Sequence, residues 1–186
     1  IKIITSTGSP LAEESFKYVY DNIKEDVHLT SIAGGTDMVG CLVLGNLYSN
    51  VYKGEIQGQS LAIDVDVFTE DGRSTKDYEK GELVVKQPFP SMPVKFWGDD
   101  TGEKYHNAYF TRFKNIWHHG DFIERTSNNG FIMRGRSDAT LNPGGVRIGT
   151  SEIYQQVEDI EYITEGLVVG QDYNDDVRII LFVTTK

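Results

Sequence analysis

The sequence holds a single cysteine, Cys41, in 186 residues. No disulfide framework can form within the chain, and a reducing, cytoplasmic setting is expected. Cys41 stands in the apolar run Val39-Gly40-Cys41-Leu42-Val43-Leu44, where a buried, inert thiol is the expectation. Basic residues are few: 18 Lys and Arg stand against 28 Asp and Glu, a formal net charge of −10. That deficit argues against a nucleic-acid partner, whose binding face needs a basic stripe. It leaves room for an anionic small molecule, because a few arginines in one cleft override the net charge. Long apolar runs are missing too. None approaches the roughly 18–20 residues of a membrane span, so no membrane partner is expected. No basic segment followed by an apolar core opens the chain, and there are no internal repeats or low-complexity tracts. The chain starts without Met on the strand-like run Ile1-Lys2-Ile3-Ile4 and stops just after the apolar residues 179–183. Both ends look cut, and a piece of a longer polypeptide is expected.

With 39% hydrophobic and 25% charged residues, what is present is ordinary globular sequence, and it falls into three patterns. Residues 1–50 alternate strand, glycine loop, helix, strand and glycine loop. Ser9 and Pro10 suit the cap and first position of the helix, whose apolar face is Phe16, Val19, Tyr20 and Ile23. A second strand is expected over 28–33. Such alternation predicts a parallel α/β layer whose ligands bind beyond the strands' carboxyl ends. From 51 to 137 the period drops to two. Leu61, Ile63, Val65 and Val67 alternate with polar residues, Glu70-Asp71-Gly72 makes a turn, and 81–85 is the next strand. Residues 116–123 and 131–134 pair across Asn128-Asn129-Gly130. Pro88, Pro90 and Pro93 mark a loop. This block predicts an antiparallel sheet or small β-barrel. From Asp138 onward a turn cluster, a helix over 151–159 and strands at 166–169 and 178–183 predict the start of a small α+β domain. The fold class is mixed α/β.

Several constellations carry chemistry. Gly8-Ser9-Pro10 sits where a strand feeds a helix, a place for a flat ligand or an anion; an ordinary βα turn is the alternative. In Gly34-Gly35-Thr36-Asp37 the glycines open space, Thr36 offers a hydroxyl, and Asp37 offers a hard oxygen for Mg²⁺. A turn with an Asp cap remains equally open. The segment is no Walker loop, since no Gly-Lys-Ser/Thr follows. His118-His119-Gly120-Asp121 invites a zinc reading, but adjacent residues on a strand point to opposite faces and no third ligand stands at zinc spacing. Asp121 fits a ribose diol better. Arg136 and Arg147, amid glycines, suit phosphate or ribose oxygens; surface ion pairs are the alternative.

In this order, Gly8-Ser9-Pro10-Leu11, Gly35-Thr36-Asp37, Gly81-Glu82-Leu83, Gly120-Asp121, Gly135-Arg136-Ser137-Asp138 and the run from Asn142 to Ile153 resemble the adenylate-forming acyl-CoA synthetases, over essentially the whole chain. The stretches GSPL, GGTDM, VYKGEIQ and GRSDATLNPGGVRIGTSEIY look most like the family's acetoacetate-activating members. The resemblance implies that ATP and a carboxylate give an acyl-adenylate and pyrophosphate, after which coenzyme A displaces AMP. It implies that Gly8, Ser9 and Pro10 line the adenine, and that Gly34, Gly35 and Thr36 flank adenine, α-phosphate and acyl group. Asp121 and Arg136 would hold the ribose, Arg147 the phosphates, Asp37 the Mg²⁺, and Gly144 and Gly145 the pantetheine. Asp37 departs from the family's usual Glu. Asp138 matches the hinge, so 1–50 and 51–137 would be the end of a large domain and 138–186 the beginning of a mobile small one. Gly34 replaces a Trp of acetate-using relatives, which points to acetoacetate as substrate. No serine- and threonine-rich phosphate loop with its Lys and no adenylating Lys are found. The 186 residues alone are therefore expected to be inactive, with no catalytic residue of their own. A ligase for another short-chain acid, or a non-catalytic nucleotide-binding or assembly module, are the competing readings.

Overall fold

The computed structural model describes residues 1–141, 143, 148–158, 160–174 and 176–186. The chain divides into two compact units, Ile1–Met133 and Arg134–Lys186. The expected hinge, Asp138, lies within the second.

The first unit opens with the expected parallel pair. Strand β1 (Ile3–Ser6) runs alongside β2 (His28–Ser31), register Ile3↔His28 to Ser6↔Ser31. The crossover is helix α1 (Glu13–Tyr18), continued by a π-helical turn over Val19–Ile23. Its cap differs from expectation. Ala12 is the N-cap, with no side-chain hydrogen bond, and Ser9 and Pro10 stand outside the helix. The chain leaves β1 through Gly8 at φ +96°, a left-handed bend that no side chain tolerates cheaply. Of the predicted apolar face only Phe16 is buried, and Ile23 is more than half exposed.

Two antiparallel sheets follow. The first orders β3 (Ala33–Gly35), β4 (Gly40–Leu44) and β5 (Gly58–Gln59). The second orders β6 (Val65–Phe68), β7 (Gly81–Val85), β8 (Trp117–Arg125) and β9 (Phe131–Arg136). They share one core: Met38, Leu42 and Val43 from the first side meet Val67, Leu83, Trp117 and Ile123 from the second. Truncating Met38, Leu42, Leu83 or Ile123 to alanine costs about 2–5 kcal/mol. The arrangement is two sheets over a common core, and the bridge Ile56↔Phe131 joins the approach to β5 with β9. Hairpin β8–β9 turns where Asn-Asn-Gly predicted, with Asn129 at φ 60° and the Thr126 N–H donating to Gly130 O at 2.9 Å.

Elsewhere the sequence pattern misled. Strand β6 starts at Val65, because Ala62 takes φ 62° and Leu61 is almost fully exposed. Within the loop after the prolines, helix α2 (Glu103–Tyr109) was not anticipated. Gly102 at φ 74° starts it, and the Tyr105 N–H donates to Asp99 Oδ2 at 2.9 Å. That bond holds the buried Asp99 carboxyl below its usual range.

In the second unit β10 (Thr140–Leu141) pairs antiparallel with β11 (Ile148–Gly149). Helix α3 (Thr150–Glu158) follows, packed on the long hairpin of β12 (Ile163–Tyr173) and β13 (Asp176–Thr185). Val157 and Val168 are buried, and the Val168 N–H donates to the Tyr154 hydroxyl at 3.0 Å. Both strands run well past the expected 166–169 and 178–183, because Glu165, Gln171 and Asp172 interrupt the apolar pattern while still pairing across the hairpin. Among the described residues no helix is long and apolar enough to cross a membrane.

Candidate active site

The glycine pair expected in a loop sits in a strand. Gly34 and Gly35 belong to β3, opposite Cys41 and Gly40, and Thr36–Val39 is the tight turn, with Val39 N–H donating to Thr36 O at 3.2 Å and Val39 at φ 49°. The hairpin forces the glycine at 34. A Cβ there would lie 2.6 Å from Cys41 Cα, 2.9 Å from the Gly40 carbonyl carbon and closer still to Gly40 O. Those neighbours are backbone and cannot step aside. The missing side chain at Gly34 is thus a condition of β3 meeting β4, and not simply vacated pocket space. Cys41 is half-buried, and burial pushes its thiol up, which disfavours a reactive thiolate.

Strand β8 supplies the second wall. Between the pairs Val84↔His118 and Glu82↔Phe122, β8 spends four residues where β7 spends two. The surplus is taken up around Gly120, which sits buried at φ 82°; such a bulge re-aims side chains out of a regular ladder. The two histidines diverge as expected. The ring of His118 meets the buried Glu82 at 2.9 Å, with Arg112 3.5 Å from the same carboxylate. His119 turns the other way: the Trp117 Nε1–H donates to its Nδ1 at 3.3 Å, and its Nε2 lies 3.7 Å from Asp121 Oδ2. Both His119 and Asp121 are buried. Among the described residues no group of three or more His, Cys, Asp or Glu is placed to hold a metal ion.

The two walls meet. A Cβ built on Gly35 would stand 3.1 Å from His119 Cε1 and 3.6 Å from its Nε2, so the Gly-Gly-Thr-Asp hairpin and the His-Gly-Asp bulge touch at that point. A third element braces them. Tyr109 of α2 stacks on Trp117 with centroids 3.6 Å apart and planes at 13°, and its hydroxyl donates to Asp37 Oδ2. Asp37 and Asp121, 84 residues apart in sequence, are thereby tied through Tyr109, Trp117 and His119. Sequence reading missed Tyr109 altogether. Its signal lay in the aromatic run from Tyr105 to Phe110, which no local rule connects to an aspartate in a distant turn.

Gly8, Ser9 and Pro10 lie on the bend after β1, with open space where a Cβ of Gly8 would point. Thr36 is exposed beside Asp37. In the second unit, Arg136 makes a two-pronged pair with Asp138, Nε to Oδ1 at 2.9 Å and the terminal nitrogen to Oδ2 at 2.6 Å. Both side chains are half exposed or more, so the pair is worth little to stability. Gly144, Gly145 and Arg147 lie outside the described residues.

A polar cavity of about 500 Å³ opens elsewhere in the first unit, lined by Gln57, Asp66, Lys86 and Arg125 among others. Asp66 is its anchor. Burial raises its pKa, but hydrogen bonds from Ser74 Oγ and the Val67 N–H, with Lys86 beside it, outweigh burial and hold the carboxyl below its usual range.

No protein-family model matches the chain. Its fold is shared with an acetoacetyl-CoA synthetase from Streptomyces lividans, at a TM-score of 0.85 and 37% identity over 100% of this chain and 28% of that one. It is also shared with a benzoate CoA ligase from Burkholderia xenovorans, at a TM-score of 0.76 and 24% identity over 100% of this chain and 35% of that one. Its ordered motifs are carried on this fold, and over its whole length the chain is similar to part of the adenylate-forming acyl-CoA synthetases. Within that class its homologues are acetoacetyl-CoA synthetases. It is 57% identical over 183 residues to the enzyme of Rhizobium meliloti (98% of this chain, 28% of that protein). To the enzyme of Gallus gallus it is 47% identical over 183 residues (97% and 27%). The chain therefore spans a little over a quarter of the length of these curated relatives.

Proposed function

We propose that this protein acts as an ATP-dependent acetoacetate–CoA ligase, forming acetoacetyl-adenylate and pyrophosphate and then acetoacetyl-CoA and AMP. The observation that supports this most is the 57% identity over 183 residues to a synthetase of that name. The contact between the Gly35 hairpin and the His119–Asp121 bulge fits it.

In this reading the first unit receives the nucleotide. The open bend of Gly8, Ser9 and Pro10 lies against the adenine. Gly34, Gly35 and Thr36 approach the α-phosphate and acyl group, where the lack of side chains lets a ligand near the backbone. The Asp121 carboxylate accepts hydrogen bonds from the ribose diol. Asp37 fits Mg²⁺ as a single carboxylate ligand. No protein cage surrounds it among the described residues, which suits an ion that completes its shell with phosphate oxygens and water. Bound there, Mg²⁺ would neutralise phosphate charge. In the second unit, Arg136 leaves Asp138 for the ribose, Arg147 serves the phosphates, Gly144 and Gly145 the pantetheine, and Asp138 the hinge. Residues 1–50 and 51–137 then close a large domain and 138–186 open a small one. The location is cytoplasmic, the partners are acetoacetate, ATP and CoA, and neither nucleic acid nor membrane is a partner.

Acid-dependent release of pyrophosphate by the complete polypeptide that carries this sequence tests the reading. A higher kcat/KM for acetoacetate than for acetate is expected; the reverse order, or no acid-dependent release, overturns it. A polypeptide of only these 186 residues contains neither a lysine-bearing phosphate loop nor an adenylating lysine, and it should show no turnover with ATP, acetoacetate and CoA.

A further inference from the structure

We propose that Glu82 is a positioning residue for nucleotide binding: through His118 it staples β8 across its bulge and fixes where Asp121 presents its carboxylate. The inference rests on the ribose role given to Asp121 above and deepens it by naming what holds that group in place.

The ladder locates the surplus. Between His118 and Phe122 stand His119, Gly120 and Asp121, whereas only Leu83 stands between their partners Val84 and Glu82. Paired residues share a face of a sheet, and so do alternate residues of one strand. Glu82, Val84, His118 and Phe122 therefore lie on one face. Glu82 is engaged on both sides of the bulge. Its backbone is paired with Phe122 after the bulge, and its side chain reaches back to His118 before it, Oε2 to Nε2 at 2.9 Å. A carboxylate only accepts, so the imidazole N–H donates. His119 turns the other way, towards Asp121, which puts the staple on the reverse of the sheet from the site.

Both ends of the staple are held. Arg112 stands 3.5 Å from Glu82 Oε1, and the Phe113 ring meets the His118 ring edge-on, centroids 5.9 Å apart and planes at 76°. Glu82 is 2% exposed, on a strand whose other residues, Gly81, Leu83, Val84 and Val85, are buried as well. A charge there is costly unless partners meet it, and an apolar residue would stabilise such a position as well or better. What the pair adds is register, the best-attested use of buried polar groups. Gly120 at φ 82° permits the bend; the Glu82–His118 bond confines it to His119, Gly120 and Asp121.

The test measures acetoacetate-dependent pyrophosphate release by the complete polypeptide, with ATP and with 2′-deoxy-ATP, which lacks one hydroxyl of the diol. The readout is the ratio of the two kcat/KM values, from which partial unfolding cancels because it lowers both alike. Asp121→Ala should lower the ratio about tenfold, the worth of a hydrogen bond to a charged group. His118→Phe should lower it about threefold or more, since misplacement by about 1 Å weakens such a contact. Glu82→Gln should fall between that variant and the parent, and it carries the test if His118→Phe does not fold. His118→Gln, which keeps an N–H for Glu82, should hold the parent ratio. In an Asp121→Ala background, His118→Phe should change the ratio no further. An unchanged ratio in Glu82→Gln and His118→Phe, or an added loss in the Asp121→Ala background, overturns the staple while the ribose role stands. A parent that does not distinguish the two nucleotides, or an Asp121→Ala variant that distinguishes them as well as the parent, overturns both.

Discussion

Replacing Gly34 with alanine should destabilise the first unit by about 1–3 kcal/mol, the usual cost of forcing a group into filled space. The methyl carbon would sit 2.6 Å from Cys41 Cα and 2.9 Å from the Gly40 carbonyl carbon, against a comfortable carbon–carbon approach of about 3.5 Å. Relief requires β4 to retreat by roughly 1 Å, and retreat breaks a ladder of only three paired positions, Ala33↔Val43, Gly34↔Cys41 and Gly35↔Gly40. Two other glycines calibrate the effect. Gly35→Ala meets only the His119 ring edge at 3.1 Å, which can shift, so its cost should be smaller. Gly58→Ala meets nothing within 4 Å and should stay within about 0.5 kcal/mol of the parent. Urea unfolding followed by tryptophan fluorescence reports on this region, because Trp117 is buried while Trp97 is fully exposed in both states. The expected order of loss is Gly34, then Gly35, then Gly58. If Gly34→Ala is as stable as the parent, the hairpin argument fails, and the glycine serves only to leave room for a ligand.

Two further outcomes follow from neighbouring contacts. The Asp66 carboxyl titrates below its usual value in the folded protein, so it stabilises above the ordinary carboxylate range, and that contribution disappears as pH falls through the depressed value. Asp66→Asn should cost about 1–3 kcal/mol at pH 7 and flatten the loss of stability below about pH 4; urea midpoints at pH 7, 5 and 3 would show a parallel decline if the idea is wrong. Tyr109→Phe keeps the stack on Trp117 but removes the hydroxyl that holds Asp37. Stability should change by about 1 kcal/mol or less, while KM for Mg-ATP rises severalfold; an unaltered KM would speak against Asp37 as the Mg²⁺ ligand.

Local signals read well where one short-range rule governed the outcome. The βα alternation gave the parallel pair β1–β2, Asn128-Asn129-Gly130 gave its hairpin, and strand periodicity separated His118 from His119. It failed where distant packing decides. Ser9 and Pro10 have the chemistry of a helix start, yet a left-handed Gly8 displaces the start to Ala12. Asp66 looks like the solvent side of an alternating strand, but Ser74, Lys86 and Arg125 converge on it and bury it. The glycines read as a loop because glycine is poor strand material, whereas the close approach of β4 demands them there. The link from Asp37 to Tyr109 spans 72 residues, and nothing local encodes it.

The surplus in β8 has a consequence for how this stretch can vary in length. Two extra residues preserve the alternation of faces, so Trp117 and Ile123, on either side of the bulge, both point into the core. Losing one residue between them would swap the faces of everything downstream, turning the half-exposed Phe122 and Glu124 inward and Ile123 out. Losing two would restore the alternation and erase the bend that carries His119 and Asp121. Across descendants of this sequence, length here should change by pairs or not at all, and a line that sheds the pair keeps the sheet while giving up the site.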